Sequence, residues 1–140
     1  MARPTSFRLP EDLLARLETE AREDGLSVTA LVTTMLDEGL KARRFPGIVY
    51  RDGPTGRRAG LVGGPDVWEI VRALRQMPGR GVKRIEHLAA EIDVPEARII
   101  LAADFYAEHP EEIDRRIELD EEVAARTRRF VDQRERLLSE

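Results

Sequence analysis

Hydrophobic and polar positions divide the first third of the chain into one short alternating run and two longer periodic ones. In residues 5–9, Thr5, Phe7 and Leu9 fall on one side and Ser6 and Arg8 on the other, the two-residue period of a strand with one core-like and one polar face. The period then lengthens. Leu13, Leu14, Leu17 and Ala21 form one apolar stripe, which predicts a helix after Pro10, with Glu11 and Asp12 in its first turn, where carboxylates complement exposed N–H groups. Gly25 ends that helix. Ser27 then caps a second one, for which Leu31, Val32, Met35, Leu36, Gly39 and Leu40 predict a buried face. Lys41, Arg43 and Arg44 suit its C-terminal end, and Pro46 and Gly47 forbid continuation.

Beyond this break the pattern is strand-like again. Ile48–Arg51 and Arg57–Val62 are separated by Asp52–Gly56, which predicts a hairpin with a Gly-rich loop. Gly63, Gly64 and Pro65 turn the chain into a helix with Asp66 at its start and Val67, Ile70, Val71 and Leu74 inward, Trp68 lying on the flank. A helix from Val82 to Glu91, carrying Ile85 and Leu88, and another from Glu96 to Glu108, carrying Ile99, Ile100, Ala103 and Tyr106, follow with the cadence of a helix-turn-helix. The second of these exposes Glu96, Arg98, Asp104 and Glu108, three carboxylates that phosphates would repel. It therefore reads as a structural or partner-binding element. After Pro110 acidic residues lead and arginines follow, as in one long helix. Its apolar residues form two adjacent columns, Ile117, Ala124, Val131 and Leu138 beside Val123, Phe130 and Leu137, a narrow stripe that has to pack on its own domain, a sister subunit or another protein.

Composition narrows the chemistry. The chain has 140 residues, 23 basic against 27 acidic, and no Cys. Near-balanced charge is not the signature of a non-specific nucleic-acid binder, so any DNA affinity has to come from a local patch doubled by dimerisation. Without Cys there is no disulfide framework and no thiolate metal site. The two histidines, His87 and His109, are far apart in sequence and no metal or cofactor is expected. Gly60, Gly63 and Gly64 follow neither phosphate-loop order. No Ser stands in an elbow-like context, so no catalytic residues are assigned and no enzyme is expected. No apolar run approaches the roughly 20 residues of a membrane span. A soluble, cytoplasmic protein without a membrane partner is the expectation.

A unit of roughly 40 residues cannot bury enough apolar surface to stand alone. Pairing the strand at residues 5–9 with its own copy across a two-fold axis would satisfy its edges and cover Phe7 and Leu9. The resulting ribbon is narrow enough for a major groove, with Ser6 and Arg8 of each chain facing the bases. The run TSFRLPEDLLARL at 5–17, followed by GLS at 25–27 and an apolar helix, resembles the ribbon-helix-helix repressors and antitoxins of the CopG and Arc type, over about a third of the chain. This resemblance implies base contacts from Ser6 and Arg8, with Arg3 as a short basic arm. It implies phosphate contacts from the backbone at Ser27, Val28 and Thr29, and a dimer core of Phe7, Leu9, Leu31 and Met35. Pro4 departs from the pattern, since the family often has a polar or basic residue there.

Residues 48–113, through the hairpin, VWEIVRAL and AADFYAEHPEEI, loosely resemble a helix-turn-helix-like domain of bacterial antitoxins. In VapB-like antitoxins the C-terminal region covers a partner ribonuclease with a carboxylate active site. That implies toxin contacts from Phe130, Arg126, Arg129 and Arg134, with Arg128 and Arg136 as further candidates.

The expected fold is mainly α with short β. An N-terminal ribbon-helix-helix (1–46) with an intersubunit antiparallel ribbon precedes a β-hairpin plus helix-turn-helix-like domain (47–110) and a C-terminal amphipathic helix (111–140). The expected function is a type II antitoxin that binds operator DNA, neutralises a cognate toxin protein and represses its own operon as a homodimer or higher oligomer. The alternative is a stand-alone ribbon-helix-helix regulator whose C-terminal domain senses a ligand or protein.

Overall fold

The computed structural model describes residues 1–140. The chain is mainly helical, with six helices and one two-stranded antiparallel sheet. It divides into two compact units, Met1–Arg44 and Phe45–Glu140.

The first unit is a helical hairpin of α1 (Glu11–Glu23) and α2 (Val28–Arg44). Pro10 and two acidic residues open α1. Its end is a Schellman closure: the Leu26 N–H donates to the Ala21 carbonyl at 2.8 Å and the Gly25 N–H to Arg22 at 3.2 Å. That closure requires a left-handed residue, which Gly25 supplies at φ 66°. Ser27 caps α2 by accepting from the Ala30 N–H at 3.0 Å.

Residues 1–10 form no strand in the single chain, so the expected intersubunit ribbon is not shown, and the hairpin follows the two helices. A strand is defined by its ladder, and the chain offers residues 5–9 no partner. The face expected to be buried on α2 is also largely open. Leu31 is buried, but Met35, Leu36 and Leu40 are exposed, because α1 alone is too small to cover it.

In the second unit, β1 (Ile48–Arg51) pairs with β2 (Arg58–Leu61), Ile48 opposite Leu61 and Arg51 opposite Arg58. Helices α3 (Val67–Gln76), α4 (Val82–Ile92), α5 (Glu96–Glu108) and α6 (Pro110–Ser139) follow. One core joins Ile48, Ala59 and Leu61 of the hairpin to Val67, Ile70 and Val71 of α3, Leu88 of α4, Ile99, Ala102 and Phe105 of α5, and Ile113 and Ile117 of α6. Pro110 thus opens a helix without separating a core of its own. Phe45 packs edge-on against Phe105, ring centres 5.3 Å apart.

The phase of α5 differs from the expected one. Ile99, Ala102 and Phe105 point inward, while Ile100 is exposed. The run RIILAADFY is apolar on more than one side, so its periodicity does not choose a face and packing against the hairpin and α3 does.

Candidate nucleic-acid interface

The groups expected to meet DNA all lie in the first unit and all reach water. Arg3, Ser6 and Arg8 are exposed on the segment without regular structure, as are Ser27 and Thr29 at the start of α2, with Val28 half-buried. The Ser27 cap occupies the Ala30 N–H. The amides of Val28 and Thr29 belong to the first turn, where no intrahelical acceptor exists, and they carry the positive end of the helix dipole. No acidic side chain stands in that first turn, so an approaching anion meets no opposing charge there.

The residues expected to form a dimer core behave unevenly in the single chain. Leu31 is buried, whereas Phe7 is 78% exposed, Met35 53% and Leu9 42%. Leu14, Leu26, Leu36 and Leu40 are exposed as well. The first unit thus leaves most of its large apolar side chains in water.

Helix α5, the second of the helix-turn-helix pair, lacks a comparable cationic surface. Glu96, Asp104 and Glu108 of α5 are exposed, while Arg98 is drawn aside to donate to the Val62 carbonyl. The helix therefore presents carboxylates without its one guanidinium, which deepens the repulsion of phosphate expected from its sequence.

What sequence reasoning missed is a polar hub built around Asp66, the one buried charged side chain. Asp66 accepts from Arg51 Nη2 at 2.6 Å, from Arg58 Nε and from Trp68 Nε1 at 3.2 Å. It also caps α3 in a reciprocal box, its own N–H donating to Glu69 Oε2 at 3.1 Å. Asp66 followed three residues later by Glu69 was a legible capping signal, but the two arginines come from opposite strands and carried no local sign. Gly60 has its use here. A Cβ on it would strike the Arg51 guanidinium, so the glycine leaves room for the close approach of that side chain.

Beside the hub an open groove of about 240 Å³ is lined by Thr55, Arg58, Trp68, Arg116, Asp120 and Val123, among others. Its long polar side chains are tied within the unit: Arg116 donates to Thr55 and Arg57, and Arg72, stacked over Trp68, pairs with Asp120 at 2.7 Å. No group of His, Asp and Glu could hold a metal ion. His109 packs its ring on Phe105 and His87 lies exposed on α4.

The C-terminal half of α6 carries the side chains expected to meet a partner protein. Arg126, Arg128, Arg129, Arg134 and Arg136 are exposed, and so are Phe130 at 63%, Leu137 and Leu138. Earlier in the helix, side-chain ties secure it to its unit, from Glu112 to Tyr50 at 2.7 Å, Asp114 to Arg75 at 2.7 Å and Asp120 to Arg72. The Arg75 donation holds the Asp114 carboxyl below its ordinary value, with a further hydrogen bond from Tyr106 acting in the same direction. No helix is long and apolar enough to cross a membrane. No family model, curated protein or solved structure matches the chain.

Proposed function

We propose that this chain is a homodimeric DNA-binding regulator of the cytoplasm, built on an N-terminal ribbon-helix-helix, and that it serves as the antitoxin of a toxin-antitoxin pair. The observation that carries the reading is the open apolar side of the first unit, where Phe7, Leu9, Met35, Leu36 and Leu40 remain exposed around a helical hairpin. Covering each large apolar side chain is worth about 1.5–3 kcal/mol, so a second copy laid across this side stabilises both. Pairing residues 5–9 of two copies then supplies the missing ladder and turns Ser6 and Arg8 of each chain outward, as a two-stranded ribbon for the major groove. The capped start of α2, with its free Val28 and Thr29 amides, suits a flanking phosphate.

Support for the partner half of this reading is the arginine-rich end of α6. Guanidinium groups at Arg126, Arg129 and Arg134 around Phe130 fit a carboxylate-lined active site of a ribonuclease-type toxin, which they would pair bidentately. Autorepression follows if the same dimer holds operator and toxin.

Two measurements test the proposal. In a gel-shift titration on DNA from upstream of its own gene, Arg8→Ala is expected to weaken specific binding by about 1–3 kcal/mol per lost guanidinium contact with the dimer intact. Unchanged affinity refutes the ribbon. Co-expression with the product of the adjacent gene is expected to yield a stable complex, and the absence of one refutes the antitoxin role while leaving the DNA reading in place.

A further inference from the structure

Two exposed helix faces of the second unit carry matching rows of side chains. On α5, Glu96, Ile100 and Asp104 stand four residues apart and all are exposed, Ile100 at 43%. On the second half of α6, Arg126, Phe130 and Arg134 have the same spacing and the same exposure. None of the four charged groups is held in an ion pair. Residues four apart form the ridges by which helices interlock, so each row is a ridge with an apolar side chain between two like charges, and the two rows are opposite in sign.

The chain cannot join its own rows. Helix α6 is uninterrupted from Pro110 to Ser139, and its first half is fixed in the core by Ile113 and Ile117, so its second half has no bend by which to return to α5. We propose that the arm of α6 docks on the α5 face of a second copy, Phe130 against Ile100, with Arg126 and Arg134 on Glu96 and Asp104. Because acid, Ile, acid reads the same in both directions, the charges match whether the helices run parallel or antiparallel. Small residues flank the α5 row at Ala97 and Ala107 and admit a close approach. The lengths agree, about 20 Å for α5 and about 25 Å for the arm from Val123 to Ser139. Reciprocal exchange of two arms closes the assembly as a pair. The contact does not depend on the DNA or antitoxin reading. Within that reading it occupies Arg126, Phe130 and Arg134 while no other partner holds them.

The native chain contains no Cys, so introduced thiols report cleanly. Full-length Ile100→Cys/Phe130→Cys is expected to form an interchain bridge under mild oxidation, running at twice the chain mass on a non-reducing gel and mapping to positions 100 and 130 by peptide mass spectrometry. Neither single variant is expected to cross-link. Adding Glu96→Arg and Asp104→Arg should cut the bridge yield about tenfold, as exposed pairs become repulsions, and further adding Arg126→Glu and Arg134→Glu should restore it. Absence of a bridge overturns the proposal, as does a bridge from 130 to 130, which would place arm on arm, or one within a single chain. Failure of the charge exchange to restore the yield also overturns it. Failure of the ribbon leaves the bridge unaffected, because Phe7 and Arg8 take no part in it.

Discussion

Replacing Asp66 by Asn removes one negative charge from beneath two guanidinium groups and alters no apolar contact. The Asp66 side chain is 8% exposed, and its partners Arg51 and Arg58 keep 31% and 26%. Breaking a fully buried pair costs about 3–5 kcal/mol. Here the arginines retain partial access to water, and the amide oxygen still accepts from Trp68 or the α3 backbone, so we expect about 2–3 kcal/mol. The assay is urea unfolding followed by fluorescence of Trp68, the only tryptophan, whose indole N–H donates to the mutated carboxylate. The midpoint should fall by roughly 1–2 M at ordinary slopes for a small unit. Asp52→Asn is the control, since it removes the same charge from a pair with Arg57 in which Asp52 is 87% exposed, and it should cost under about 0.5 kcal/mol. If the two variants shift the midpoint equally, burial is not what makes the hub matter.

In a Glu96→Arg/Asp104→Arg background, which weakens the contact of α6 on α5, Phe7→Ser is expected to abolish dimerisation, read by light scattering, while leaving the helix content of the chain nearly intact. An unchanged dimer would mean that Phe7, so exposed in the single chain, stays in water. Ser27→Ala should cost about 0.5–2 kcal/mol of stability in the first unit, read by amide exchange of α2, and should weaken DNA binding through loss of the ordered first turn. Asp114 has a folded value depressed chiefly by the Arg75 hydrogen bond. Its contribution is therefore fully present above the ordinary value of 3.8 and is lost as pH falls through the lower folded value. Asp114→Asn should lower stability slightly at neutral pH, where the contribution is present, make little difference below the folded value, and so flatten that part of the acid unfolding curve.

Local signals determined much of this protein. The end of α1 at Gly25, the Ser27 cap, the hairpin loop at Asp52–Gly56 and the start of α6 at Pro110 all depend on groups within a few residues of one another, and a chain read alone contains them. Three features lay beyond that reach. The inward phase of α5 was set by the hairpin and α3 packing on Ile99, Ala102 and Phe105, because an apolar run has no preferred face until neighbours press on one. The Asp66 hub required Arg51 and Arg58, which only strand pairing brings opposite each other. The strand expected at residues 5–9 has the alternation of a strand but no ladder in a single chain, since hydrogen bonds across strands need a second segment at the right distance. Residue pattern can state which faces seek a partner. Tertiary structure decides which of them find one within the chain, and it leaves Phe7, Met35 and Phe130 exposed.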